Sequence, residues 1–105
     1  GPMSAKPTAL EGLARRLEYV AQQAHSDAAA ASAEVRGFSI AREKIDATMR
    51  DHPDTFACII VELDAIGDRL RGTMEAANDR AMKALNEWSA ALSAASSATI
   101  AALRD

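Results

Sequence analysis

Pro53 constrains this chain more than any other residue, because it is the only proline beyond the first seven positions. Proline removes a helical hydrogen bond, and the residue before a proline avoids the α-helical region. Polar residues that cap helix ends surround Pro53, and helical spacing of apolar residues extends on both sides of it. The sequence therefore predicts an antiparallel helical hairpin, with helices at about residues 8–51 and 54–103 and a turn at residues 52–54.

The composition also predicts an all-α fold with a small core. Hydrophobic residues make up 49% of the chain, but alanine supplies 25 of them and the aromatic residues number only four. Alanine has the highest helix propensity and buries little apolar area. A chain of 105 residues with so few large side chains has a marginal core, so we expect its helices to need a further packing surface.

The first helix begins with a capping box at Thr8-Ala9-Leu10-Glu11, with Pro7 just outside. Large apolar residues then follow the three-four spacing of a coiled-coil seam, until Asp27 interrupts the pattern. A four-residue insertion, called a stutter, restores the spacing beyond Asp27. The predicted seam consists of Leu10, Leu13, Leu17, Val20 and Ala24, and then Ala28, Ala31, Val35, Phe38, Ile45 and Met49.

The second helix carries a longer apolar stripe, and Pro53 is expected in its first turn. The predicted stripe consists of Phe56, Ile59, Ile60, Leu63, Ile66, Leu70, Met74, Ala77, Ala81, Leu85, Trp88, Leu92, Ala95, Ile100 and Leu103. Small residues dominate positions 89–102, which favours close approach of another helix; a frayed tail is the alternative.

Glycines at positions 37, 67 and 72 leave a second fold open. Each glycine inside a helix costs about 1 kcal/mol relative to alanine. Breaks at Gly37 and between Gly67 and Gly72 would give a compact monomer of three or four helices. Apolar residues outside the main seam, including Ile40 and Met82, favour instead the pairing of two hairpins into a four-helix bundle.

Residue types that commonly bind metals or act in catalysis are sparse. His25 and His52 have no partner at the i, i+3 or i+4 spacing of metal ligands, so we expect no metal, cofactor or catalytic site. Cys58 is expected to pack as a small buried hydrophobe. Acidic and basic residues are interspersed and the net charge is −3, which argues against nucleic-acid binding.

The termini bear on processing and location. Gly1 and Pro2 are interpreted as a cleavage scar before a native Met3, with one helical domain over residues 4–105. The beginning of the chain has no apolar signal segment, and no apolar run is long enough for a membrane span. We expect a cytoplasmic protein, or one exported by a route without a cleavable signal.

Trp88 is the first candidate for a functional residue, because tryptophan dominates the energetics of many interfaces. It is expected either to anchor the hairpin, filling the gap opposite Ala28 to Ala33, or to contact a partner. The predicted partner-binding residues are Trp88, Leu92, Leu85, Phe56, Ile59 and Ile66. The predicted function is a non-enzymatic assembly or adaptor module whose partner is a second copy or another helical protein; a monomeric regulatory or ligand-binding bundle is the alternative.

In its outline, an acidic helical chain of this length with one central turn and one tryptophan, the protein resembles the small helical hairpins of type VII secretion. Their Trp-x-Gly motif lies in the turn, whereas Trp88-Ser89-Ala90 lies within the second helix here. Their C-terminal Tyr-x-x-x-Asp/Glu signal is missing, since Tyr19 is the only tyrosine. The turn also resembles that of type III needle subunits, although the second helix is longer here, and we assign no family.

Overall fold

The computed structural model describes residues 5–104, with side chains from residue 9 onward. Two α-helices, α1 (Ala5–Met49) and α2 (Ala57–Arg104), account for nearly all of these residues. They pack against each other as a helical hairpin, which confirms the predicted fold class. The helical state of α2 continues to Arg104, whereas the frayed alternative predicted a loss of helix beyond residue 89.

The turn is longer than predicted. The amide of His52 donates a 3.0 Å hydrogen bond to the carbonyl of Met49, where α1 ends. The amide of Ile60 donates to the carbonyl of Phe56, so α2 begins at Ala57 and Pro53 lies in the turn rather than in the first helical turn. Asp54 and Thr55 in this turn have low helix propensity, because short polar side chains can compete with the helical backbone for hydrogen bonds.

The start of α1 is also displaced from the prediction. The helix begins at Ala5, so Thr8 lies inside it and the predicted cap at Thr8 is wrong. Pro7 is accommodated because a proline in the first turn has no intrahelical hydrogen bond to lose. The proposed cleavage scar and Met3, the domain start at residue 4, and Asp105 lie outside the described residues.

The glycines do not break the helices. Helix α1 continues through Gly37 and α2 through Gly67 and Gly72, and no described glycine has a positive φ. A cost of about 1 kcal/mol per glycine is small beside the packing of the residues around it. The alternative fold of three or four helices is therefore wrong.

The described chain divides into two compact units: a turn unit, residues 27–77, and a terminal unit, residues 5–26 with 78–104. In the turn unit, buried and half-buried residues recur at alternating steps of three and four. In α1 they are Ala28, Ala31, Val35, Phe38, Arg42, Ile45 and Met49; in the chain after the turn they are Phe56, Ile60, Leu63, Gly67, Leu70, Met74 and Ala77.

The contact between Phe38 and Gly67 defines the pairing of the helices in the turn unit. A β-carbon added to Gly67 would stand 3.0 Å from Cε1 of Phe38, which is tighter than an ordinary van der Waals contact. The ring of Phe38 therefore occupies the space that a side chain at position 67 would need. Gly67 is buried, so this glycine serves packing and not backbone flexibility.

Arg42 occupies a seam position that is otherwise apolar. Its guanidinium donates to Asp46 of α1 at 2.9 Å and to Asp64 of α2 at 2.8 Å. These hydrogen bonds, first to Asp46 and then to Asp64, raise the pKa of Arg42. Only 22% of the side chain is exposed, so its aliphatic part lies along the seam while its charge reaches the carboxylates.

The Arg42–Asp64 ion pair gives a prediction about salt. We expect Asp64→Asn to lower the thermal midpoint at low ionic strength, because it removes the charged partner on the opposite helix. The difference should shrink in 1 M salt, where exposed charges are screened. Circular dichroism melts at low and high salt measure the midpoint of each variant. Asp68→Asn, which removes the i, i+3 pair with Arg71, is the control. Equal melting of the two variants at low salt would contradict the prediction.

In the terminal unit, the seam is built mainly from alanine. Its residues in α1 are Leu10, Ala14, Leu17, Ala21 and Ala24, and in α2 they are Ala81, Ala84, Trp88, Ala91, Ala95, Ala98 and Ala102. Ala14, Ala21, Ala84, Ala91 and Ala95 are buried. Because the distance between helix axes depends on the side chains at the contact, small residues here permit close approach.

The alanine seam corrects the sequence-based one. Leu13 and Val20, predicted to face the partner helix, are exposed, and Ala14 and Ala21 beside them are buried. With these alanines the three-four spacing passes Asp27 without interruption, so the predicted stutter is wrong. In α2 the buried series of the terminal unit likewise differs by one residue from predicted seam residues, since Ala84 and Ala91 are buried beside exposed Leu85 and Leu92.

Candidate helix-docking surface

A second series with three-four spacing follows the seam of α2 in the terminal unit. Each member comes one position after a seam residue, so the two series lie side by side on one helix. We call this series the α2 strip: Met82, Leu85, Ser89, Leu92, Ser96, Thr99 and Leu103. No charged residue belongs to it. One helix thus carries two adjacent uncharged series: α1 covers the first, and most of the second is exposed.

The large side chains of the α2 strip are substantially exposed. The exposed fractions are 58% for Met82, 45% for Leu85, 52% for Leu92 and 83% for Leu103. The hydroxyl of Thr99 donates a 2.9 Å hydrogen bond to the carbonyl of Ala95, so its polar group is occupied within the helix. Scattered exposed leucines are normal, whereas a regular series marks a surface suited to another helix.

A cleft of about 270 Å³ lies beside Trp88, between the helices of the terminal unit. Met82 and Leu85 of the α2 strip form part of its wall, with Ala21 at its base. Gln22 and His25 supply its polar edge on α1. The alanine at position 21 leaves the space that a larger side chain would fill, so half-buried Trp88 borders an apolar depression.

A second cleft lies on the other side of Trp88, where Ala14 and Ala95 meet Leu92. Its α1 edge carries Glu11, Arg15 and Glu18; Arg15 and Glu11 form an exposed pair at 3.8 Å. The apolar strip of α2 therefore has a charged border on α1. A hydrophobic centre with a polar rim is the usual composition of a protein interface.

Trp88 does not lie at the position predicted from the sequence. It lies beside Ala14 and Ala21 rather than opposite Ala28 to Ala33. Equal rise per residue along two helices brings together residues that are equally distant from the turn, and Ala28 to Ala33 are too close to it. Trp88 is half-buried, so it contacts α1 and also borders both clefts.

The other predicted partner-binding residues lie in the turn unit. Phe56 and Ile59 border an open cleft with Ile45 and Met49, close to the turn. Phe56 is half-buried and Ile59 is exposed, whereas Ile66 is half-buried and does not line this cleft. The structure therefore places Trp88, Leu85 and Leu92 together and assigns Phe56 and Ile59 to a separate group. Their roles in partner binding stay predictions.

The apolar spacing in the sequence places Met82 outside the main seam but does not identify Ser89, Ser96 and Thr99 as members of a surface. The same spacing predicts that Leu85, Leu92 and Leu103 contact α1. The signal that could have separated them is the presence of two three-four series offset by one residue. Large residues were assumed to face inward, but alanines occupy the inward series.

Groups with chemical reactivity do not converge in the described part of the chain. Cys58 is exposed, contrary to the prediction that it is buried, because it lies on the side of α2 opposite the seam. Among residues 9–104, no three His, Cys, Asp or Glu side chains are placed to hold a metal ion. Over the same range, neither helix has a stretch long and apolar enough to cross a membrane.

Comparisons with protein-family models, with curated proteins and with solved structures found no match to this chain.

Proposed function

We propose that this protein is a non-enzymatic interaction and assembly module: a helical hairpin that self-associates or packs along the helices of a partner. The observation that carries the proposal is the α2 strip, an uncharged series that is exposed except at half-buried Thr99 and has the spacing of a coiled-coil seam. A partner helix would cover Leu85 and Leu92 as α1 covers the adjacent alanines. Such a role suits an adaptor or a subunit of a larger assembly.

The small core supports the same proposal. In the terminal unit, alanines dominate the contact between the two helices, while large apolar side chains remain at the surface. Burying a leucine contributes roughly 1.5–3 kcal/mol, so covering the strip would add stability that the hairpin alone lacks. Pairing of two hairpins into a four-helix bundle is one form this association could take. The proposed role is compatible with either a cytoplasmic or an exported protein.

Light scattering over a concentration series, combined with circular dichroism, tests this function. We expect the parent chain to have a mass above the 11.1 kDa of one chain. The double variant Leu85→Gln/Leu92→Gln should return to the mass of one chain with its helical signal retained, because it places amides on the docking surface. Val61→Gln, at an exposed apolar site in the turn unit, is the matched control and should behave like the parent.

Two other results have definite meanings. A poorly helical single chain would support a different helical protein as the partner, since the missing surface would then be needed for folding. A strongly helical single chain at every concentration, with stability that the Leu85→Gln/Leu92→Gln substitutions do not change, would contradict the proposed function.

A further inference from the structure

We infer that the α2 strip binds the α2 strip of a second copy of this chain, antiparallel, about a two-fold axis between Ala90 and Ala91. This inference rests on the proposed function and specifies its partner. An antiparallel contact between identical helices is isologous, so each layer of the interface occurs twice. The arrangement requires only that the strip be complementary to itself.

Side-chain size supplies the first argument. In the inferred register each layer between positions 82 and 99 places a large residue against a smaller one, and Leu103 lies beyond these layers, near Asn78 of the partner copy. The layers pair Leu85 with Ser96, Leu92 with Ser89 and Met82 with Thr99 of the partner copy. Large and small residues across a helix contact interdigitate, which fills space without voids or overlap.

The neighbouring registers lack this complementarity. A shift of one heptad in one direction would place Met82 against Leu92, two large residues in one layer. A shift in the other direction would place Leu85 against Leu103 and Ser89 against Thr99, giving one overfilled layer and one underfilled layer. Overpacking costs about 1–3 kcal/mol, and voids also carry a cost, so size favours the register centred between positions 90 and 91.

Charge supplies the second argument. The flank of α1 that borders the clefts carries Glu11, Arg15 and Glu18, and the corresponding positions of α2 in the turn unit carry Asp64, Asp68, Arg71 and Glu75. Packing the α2 strip on either surface would remove charges from water. The strip itself, by contrast, is an uncharged helical series of matching spacing.

The edge of the strip adds no repulsion. Along its outer side stand Asp79, Asn86, Ser93 and Ile100, all exposed. In the inferred register Asp79 lies near Ile100 of the partner copy and Asn86 near Ser93. No like charges therefore face each other along this edge, so electrostatics permit the same antiparallel register that side-chain size favours.

Spin-label distances across the dimer test the register. Nitroxide labels are attached one at a time through Asp79→Cys, Asn86→Cys, Ser93→Cys and Ile100→Cys, each combined with Cys58→Ser. At 1.5 Å per residue, the offset along the axis between the two labels is about 35 Å at 79, about 14 Å at 86, about 8 Å at 93 and about 29 Å at 100. The expected profile has its minimum between 86 and 93 and rises on both sides by about 3 Å per residue.

Leu85→Gln/Leu92→Gln in the same labelled chains serves as the control and should abolish the coupling between labels. Equal distances at all four sites would indicate parallel pairing and overturn the inference, as would a minimum elsewhere along α2; the proposed assembly function would survive both results. If the chain is a poorly helical monomer without coupling between labels, the inferred dimer is also overturned. A different helical protein would then be the partner. A strongly helical single chain unaffected by the control substitutions would overturn both proposals.

Discussion

Gly67→Leu is expected to destabilise the chain by about 1–3 kcal/mol, the usual cost of inserting a large side chain into a packed site. The ring of Phe38 already stands 3.0 Å from the position of a β-carbon at residue 67, and the guanidinium of Arg71 stands at 3.3 Å. Arg71 is flexible and can move, whereas Phe38 is held in the seam. The gain in helix propensity on replacing glycine, about 1 kcal/mol, offsets only part of this cost.

The same substitution at two other glycines provides the matched control. Gly37 and Gly72 have no atom within 4 Å of an added β-carbon. Gly37→Leu and Gly72→Leu should therefore stabilise the chain by up to about 1 kcal/mol. Urea unfolding followed by circular dichroism measures all three variants. Phe38→Ala in the Gly67→Leu background should recover part of the loss, and equal effects of leucine at 37, 67 and 72 would show that Phe38 does not enclose Gly67.

Ala84→Leu is expected to cost about 1–3 kcal/mol, because Ala84 is buried in the seam of the terminal unit. The alanines of this seam allow the helices to approach closely, so a leucine must push the helices apart or leave its preferred rotamer. Leu85→Ala should change the stability of the isolated hairpin less, because the Leu85 side chain is 45% exposed at the cleft beside α1, whereas Ala84 is 7% exposed.

Ala90→Leu is the control for Ala84→Leu, since Ala90 is exposed on α2 and receives the same added volume. Its stability should stay within about 0.5 kcal/mol of the parent, as is usual for surface substitutions. Urea unfolding at low protein concentration separates these effects from self-association. If Leu85→Ala destabilises the dilute chain more than Ala84→Leu does, then Leu85 faces α1 and the docking surface has been assigned to the wrong residues.

The candidate surface was predictable in part. Leu85 and Leu92 were identified as partner-binding residues, and the structure leaves both exposed beside Trp88. The apolar spacing also predicts both leucines in the stripe that contacts α1, so it does not separate the two roles. Ile59 is exposed, whereas Phe56 and Ile66 are half-buried. Periodicity identified the apolar positions, but it could not divide them between the partner helix and solvent.

The sequence by itself determined the fold class and the location of the turn. Alanine-rich composition and three-four spacing favour helix over the whole chain, and Pro53 with its polar neighbours interrupts that pattern once. These are local properties of the backbone and its side chains. They do not depend on which residue lies opposite, so they could be read before any packing was known.

Only the tertiary structure decided which of two adjacent residues faces the other helix. Leu13 and Ala14 fit the same three-four spacing, and so do Leu85 and Ala84. Which residue of each pair faces the other helix depends on the distance between the helices. In the structure the alanines face the other helix, and Leu13 and Leu85 are exposed. The enclosure of Gly67 by Phe38 has the same origin. Side chains that face each other must fit by volume, and this fit depends on residues of both helices. The spacing of apolar residues along one helix does not contain that information.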